Sequence, residues 1–256
     1  MFVSCIRGKY EAMIAVFKMC GTTYTDKVRP IFNDSRIDFI KLCYNSVLRN
    51  VGEEITQMFF VVDNANTDLF NLIKDKLIMD GKIYKNLTFL ENQNITKLEA
   101  VGVTAREALD VAAGFPKEKI LLVEDDYYFL PGVGKKMVRA LDEFEVITPY
   151  DHPAYYKENL LVNSEKKEVD GTIWQSVPST CLTFACRGEF LNRELEVFKD
   201  YACRDSEMWQ DIGKRTKLWA SVPTLATHME KSWMAPGIDW EKEFKESLKY
   251  LKTPGF

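Results

Sequence analysis

Lys119-Ile120-Leu121-Leu122-Val123-Glu124-Asp125-Asp126-Tyr127-Tyr128-Phe129-Leu130-Pro131-Gly132 is an apolar run that stops in three consecutive carboxylates and then passes through aromatics into a Pro-Gly turn. Ile120 to Val123 reads as a strand buried on both faces. Acids at its end oppose stability by themselves, because like charges repel and each loses solvation on burial. Carboxylates two residues apart at a strand terminus can instead share a hard divalent cation, which offsets that repulsion. The carboxyl ends of strands are also where an open α/β sheet binds its ligands. The plainer alternative is a solvated turn whose acids cap the next helix.

Upstream of this stretch, strand and helix patterns alternate. Ala12 to Met19 reads as a first buried strand, breaking into the hydroxyl-rich Cys20-Gly21-Thr22-Thr23-Tyr24-Thr25. That turn suits either nucleotide binding or an ordinary reversal. Neither a GxGxxG nor a GxxxxGK[ST] follows it. Ser35-Arg36-Ile37-Asp38 opens a helix with a capping-box pattern. Gln57 to Val62 is a second buried strand, ending in Asp63-Asn64-Ala65-Asn66, which could read a ribose or a base edge or form a simple Asx turn. Thr67 to Met79 reads as an amphipathic helix and Leu87 to Leu90 as a third strand, followed by Glu91-Asn92-Gln93-Asn94. Thr96-Lys97-Leu98-Glu99 caps a small-residue helix that carries Arg106, which either reaches a phosphate or the acids or makes a surface salt bridge.

Downstream, the pattern predicts a helix from Gly132 to Leu141 and strands at Phe144 to Thr148, Val169 to Gln175 and Ser179 to Cys186. Tyr150 to Tyr156 forms an aromatic loop, and Gly188 to Phe198 reads as a helix. A further helix begins near Asp205-Ser206-Glu207-Met208-Trp209, with Asp205 or Ser206 as its N-cap. Leu218 to Val222 is a strand that leads into Pro223-Thr224-Leu225-Ala226-Thr227-His228, and Trp240 to Leu251 closes the chain as a charged helix.

The chain has 256 residues, 46% of them hydrophobic, enough for one large domain with a full core or for two small ones. No Gly/Ser/Pro-rich linker divides it, so residues 1–256 are expected to form a single domain. The net charge of −4, with scattered cations, argues against a nucleic-acid groove. No apolar run approaches the roughly 20 residues of a membrane helix, and Met1 to Tyr10 lacks the apolar core of a signal peptide. The six cysteines form no CxxC pair and read as buried free thiols of a reducing compartment. The expected location is the cytoplasm.

This order of elements resembles the GT-A glycosyltransferases, particularly the family 2-like, nucleotide-sugar-dependent ones, over roughly Ala12 to Trp240. Thr22 and Thr23 match the loop after the first strand, and Val61-Val62-Asp63-Asn64-Ala65-Asn66 the nucleoside-contacting segment. Asn94, Gly102 and Arg106 match the stretch before the metal motif, and Glu124-Asp125-Asp126 its DxD. Asp205 matches the Asp of the Glu-Asp motif that supplies the base, with Arg204 where the family has Glu. His228 matches a late histidine that some GT-A enzymes place on the metal.

The resemblance implies a Rossmann-like α/β fold with a mixed, mostly parallel sheet flanked by helices. Its nucleotide-sugar half would span about 12–130 and its acceptor half about 131–256. It implies transfer of a sugar, with inversion, from a UDP- or GDP-sugar to a glycan or other hydroxyl acceptor. Mn²⁺ or Mg²⁺ would be held by Asp126 and His228, and Asp205 would act as the base. Thr22, Thr23, Asp63, Asn94, Arg106, Glu124 and Asp125 would contact the donor, and Glu207, Trp174 and Trp209 the acceptor. The alternatives are a nucleotidyltransferase using the same acids, or a carbohydrate-binding protein without catalysis.

Overall fold

The structure is a computed structural model that describes residues 12–22, 28–79, 87–90, 97–202 and 204–251. In chain order the elements are β1 (Met13–Cys20), α1 (Arg36–Asn50), β2 (Ile55–Asp63), α2 (Thr67–Met79), β3 (Leu87–Leu90), α3 (Lys97–Ala113), β4 (Lys119–Glu124), β5 (Tyr127–Phe129), α4 (Val133–Glu143), β6 (Val146–Thr148), α5 (Ala154–Lys157), β7 (Lys166–Val169), β8 (Thr172–Val177), β9 (Phe184–Arg187), α6 (Gly188–Asp200), α7 (Asp205–Ile212), β10 (Leu218–Val222), β11 (Ala226–His228) and α8 (Trp240–Leu251).

Among the described residues, one nine-stranded sheet has the order β3-β2-β1-β4-β9-β6-β10-β8-β7. β1, β2, β3 and β4 pair in parallel, as do β6 and β10, while β9 and β8 run against the rest. This is the expected α/β architecture, a mixed and mostly parallel sheet flanked by helices. The order follows from the alternation of strand and helix, since a parallel neighbour needs a crossover helix to return the chain. The same sheet runs from the first half of the chain into the second. No helix among the described residues is long and apolar enough to cross a membrane.

β1 shows why the core divides in two. Its alternate side chains point to opposite faces. Met13, Ala15, Phe17 and Met19 pack with Phe39, Cys43, Tyr44 and Val47 of α1. Ile14 and Val16 pack with Ala105, Ala108, Leu109 and Ala112 of α3. The small residues of α3 therefore do what the sequence suggests and let that helix lie close to the sheet. α1 and α3 cover opposite faces, so the chain changes side between β1 and β4. The carboxyl end of such a switch point opens a crevice.

Several expectations need correction in the second half. Val169 to Gln175 is not one strand. Asp170 and Gly171 have φ of 47° and 72°, and they turn β7 back onto β8 as a hairpin. An Asp-Gly pair at left-handed φ is the turn chemistry for a two-residue hairpin loop. Ser179 to Thr183 is irregular, so the expected strand there shrinks to β9. β5 and β11 were not expected as strands. They form a separate antiparallel pair, with Tyr127 opposite His228 and Phe129 opposite Ala226. Neither helix α7 residue expected as an N-cap has that place. Arg204 is the N-cap, and Asp205 is the first helical residue. The capping pattern before α1 is present, with Ser35 as N-cap accepting the Asp38 N–H.

Candidate active site

The crevice lies at the carboxyl ends of β1, β2 and β4. Parallel register sets Cys20 beside Asp63 and Lys18 beside Glu124. Lys18, Cys20, Thr22, Arg29, Arg36, Asp63, Glu124, Asp125 and Asp126 line it, with Val101, Thr104 and Met229 on its sides. Thr22, Asp63, Glu124, Asp125 and Asp126, all expected from the sequence, are thus brought to one place. Thr23 and Asn94 lie outside the described residues.

Gly21 makes the turn at the crevice floor possible. Its N–H donates to the Asp63 carbonyl at 2.9 Å, and a Cβ there would come within 2.2 Å of the Asn64 carbonyl oxygen. Only a glycine permits that approach between the ends of β1 and β2. Asn66 is used structurally. Its side-chain oxygen accepts the Leu69 N–H at the start of α2, and its amide donates to the Gly21 carbonyl.

The acidic triplet divides into different environments. Glu124 lies 2.8 Å from the Lys18 ammonium, and its N–H donates to Thr183 Oγ1. Asp125 is buried, and its Oδ2 accepts from Arg36 at 2.5 Å and from the Cys20 N–H at 2.7 Å. Arg36 also donates through Nε and Nη2 to the Cys20 carbonyl. Burial raises the Asp125 carboxyl above its ordinary range, Asp126 adds to this, and Arg36 pulls the other way. Burial lowers Arg36, but the Asp125 carboxylate outweighs it and leaves the guanidinium raised. Asp125 is therefore committed to joining β1, α1 and the end of β4.

Asp126 faces elsewhere. Its Oδ2 is 3.1 Å from His228 Nε2. The β5–β11 pair brings them together, and its ladder continues at both ends. The Met229 N–H donates to the Asp126 carbonyl and the Leu130 N–H to the Leu225 carbonyl. Tyr127 packs beside the His228 ring at 5.2 Å. A carboxylate and an imidazole this close can share one divalent cation. Among the described residues, no three His, Cys, Asp or Glu side chains are grouped to hold a metal. A cation held by these two side chains alone would leave positions for a phosphate and water, as Mg²⁺-type sites do.

Asp205 opens α7 near Cys181. Burial raises the Cys181 thiol first, and the charges of Asp205 and Glu124, and more weakly Asp126, add to that. Cys181 thus stands within electrostatic reach of both the acidic triplet and Asp205. Glu207 is exposed on the same helix.

Three expected ligand contacts fail. Trp174 is fully buried against Phe144, and Trp209 is 2% exposed between Phe184 and Phe198. Neither ring has a face for an acceptor sugar. Arg106 turns away from the crevice and donates to the Lys199 carbonyl at the end of α6. α3 reaches the crevice through Val101 and Thr104 instead, and the two residues from Thr104 to Arg106 are more than half a turn of helix.

Sequence reasoning missed the cations. Lys18 is the single charge in the β1 run, and a charge inside a buried strand is itself a signal. Arg36 lay within a capping pattern read only as a helix start. Arg29 left no local signal. Its guanidinium stacks 4.6 Å from the Phe39 ring, and burial lowers it.

No protein-family model matches the sequence, and no curated protein matches it. Among solved structures, the chain is similar to an inositol-1-phosphate CTP transferase from T. maritima, at 12% identity and a TM-score of 0.47, covering 93% of this chain and 98% of that one. It is also similar to the galactosyltransferase LgtC in complex with donor and acceptor sugar analogues, at 11% identity and a TM-score of 0.44, covering 81% and 73%. A third is 4-diphosphocytidyl-2C-methyl-D-erythritol synthase, at 11% identity and a TM-score of 0.40, covering 92% and 98%. At that identity no residue correspondence follows, and the chemistry has to be read from the crevice itself.

Proposed function

We propose that the chain is a metal-dependent glycosyltransferase that moves a sugar from a nucleotide-diphosphate sugar, of the UDP or GDP type, to a hydroxyl acceptor such as a glycan. The observation that carries this reading is the Asp126–His228 pair, 3.1 Å apart beside a crevice that also holds Lys18, Arg29 and Arg36. Carboxylate and imidazole together suit Mn²⁺ better than Mg²⁺, which prefers oxygen ligands. When bound, the ion would neutralise charge on the departing diphosphate.

The chain's own residues do the rest. Thr22 and Asp63 hold the ribose and base, and Glu124, paired with Lys18, contacts the ribose or a water. Arg29 faces the diphosphate from the wall of the crevice. Asp205 accepts the proton of the acceptor hydroxyl while that oxygen bonds to the anomeric carbon. The bond from that carbon to the diphosphate oxygen breaks, its electron pair leaves with the diphosphate, and the anomeric centre inverts.

A nucleotidyltransferase reading uses the same acids, and three cations in one crevice also suit a triphosphate. Product analysis separates the two, because sugar transfer releases a nucleoside diphosphate and nucleotidyl transfer releases pyrophosphate. UDP-, GDP- and dTDP-sugars with and without Mn²⁺ should raise thermal stability only in the presence of metal, since a ligand of the native state alone stabilises it. No metal-dependent shift with any of them sinks the proposal. Asp205→Asn should lower transfer about 10²–10⁴-fold while retaining that thermal shift. Unchanged transfer would remove Asp205 as the base.

A further inference from the structure

Trp174 and Trp209 belong to the core, so the acceptor side of the crevice has to be found elsewhere. Among the described residues, Tyr156 at 49% and Trp233 at 36% are large aromatic side chains that stay substantially exposed, the first within residues 151–157 and the second against them. Exposed rings are ordinarily loose, but these are fixed. The Tyr156 hydroxyl donates to Asp151 Oδ2 at 2.7 Å. The Trp233 carbonyl accepts from the Tyr150 hydroxyl, and its ring lies 5.1 Å from His152. His152 is itself held, its Nδ1 accepting the Ala154 N–H. Burial lowers His152 to about 4, with the charges of His228 and Lys157 adding to it, so its ring stays uncharged near neutrality.

Trp233 joins the Asp126–His228 pair through continuous ring packing, and Tyr156 is the chain neighbour of Lys157, which sits over the Trp233 ring. Trp233 touches His152, His152 touches Tyr150, Tyr150 touches Tyr127, and Tyr127 touches His228, with centroids 5.1 to 5.5 Å apart at each step. The short helix α5 brings Lys157 over the Trp233 ring at 5.6 Å. A polar wall with rigid aromatic faces suits a pyranose, whose ring has an apolar C–H face and a polar rim.

We propose that Trp233 and Tyr156 form a saccharide-binding platform beside the Asp126–His228 pair, so that the acceptor is a sugar rather than a lipid or protein hydroxyl. This rests on the glycosyltransferase reading. The probes are p-nitrophenyl glucosides, galactosides, mannosides and N-acetylglucosaminides, with binding read by saturation-transfer NMR in the presence of UDP and Mn²⁺. At least one should bind. Trp233→Leu should weaken it about tenfold or more, and Tyr156→Ser should weaken it less. UDP–Mn²⁺ binding by both variants should match the wild type. Tyr156→Ser also covers the case in which Trp233→Leu does not fold. The platform is overturned if no glycoside binds the wild type, or if both folded variants bind the glycosides as the wild type does. Absence of metal-dependent UDP, GDP or dTDP binding would instead remove the glycosyltransferase reading, while glycoside binding still reports on the platform.

Discussion

Asp125, at the end of β4, is 7% exposed, and Asp151, in the loop after β6, is 4% exposed. Burial raises both carboxyls. Asp125 meets the Arg36 guanidinium at 2.5 Å, whereas the Asp151 carboxylate, among the described residues, meets only the Tyr156 hydroxyl, at 2.7 Å. A full opposite charge compensates a buried carboxylate far better than a phenol does. Asp151 is accordingly pushed to about 6. The same residue type at similar burial thus serves as one half of an ion pair on one side of the crevice and as a group poised to take a proton on the other. Burial alone does not set the charge of a site; the partner does.

The difference between the two carboxylates depends most strongly on Arg36. Arg36→Met leaves Asp125 buried without its cation, and removing one partner of a buried pair costs about 3–5 kcal/mol. Urea denaturation of the variant should show that loss, and adding Asp125→Asn should recover much of it. A loss under about 1 kcal/mol would mean that solvent screens the pair as at an exposed site.

Asp151→Asn acts in the opposite direction. Because the folded value of about 6 lies above the ordinary 3.8, the folded protein holds this proton more tightly than the unfolded chain does. Its stabilising contribution is complete below pH 3.8 and is lost as the pH rises through about 6. A gap of that size between the folded and unfolded carboxyl corresponds to about 3 kcal/mol. Asparagine still accepts from Tyr156 but does not titrate. The variant should therefore be more stable than the wild type at pH 8, by up to about 3 kcal/mol, and the difference should shrink toward pH 4. Parallel unfolding curves across that range would refute the assignment.

The smallest effect sharpens the Arg36 side. Ser35 caps the helix that carries Arg36, accepting the Asp38 N–H and donating to Asp38 Oδ2 at 2.7 Å. Ser35→Ala should cost about 1 kcal/mol. If α1 positions Arg36 as a unit, the loss should be partly shared with that of Arg36→Met in a double-mutant cycle.

Much of the first half was legible. β1, β2, α2, β3 and β4 fall where the patterns put them, within a residue or two, because a run buried on both faces and a capped amphipathic helix are local signals. The ends of those strands also pointed to Asp63 and the acidic triplet. The second half was less legible. The Asp170-Gly171 turn was overlooked inside an apolar run, and the short β5 and β11 carry too few residues for a period to show. The acceptor tryptophans were misjudged because a sequence shows that an aromatic is present but not which of its faces is covered.

The sequence by itself determined the alternation of strand and helix in the first half, the capped start of α1 and the place of the acids at a strand end. These follow from backbone periodicity and from hydrogen bonds among near neighbours. Only the tertiary structure decided which partner each acid has. His228 reaches Asp126 across 102 positions, and Arg36 reaches Asp125 across 89. Such pairs form because strand register and helix packing bring distant ends to one edge of the sheet, and no local pattern encodes that meeting.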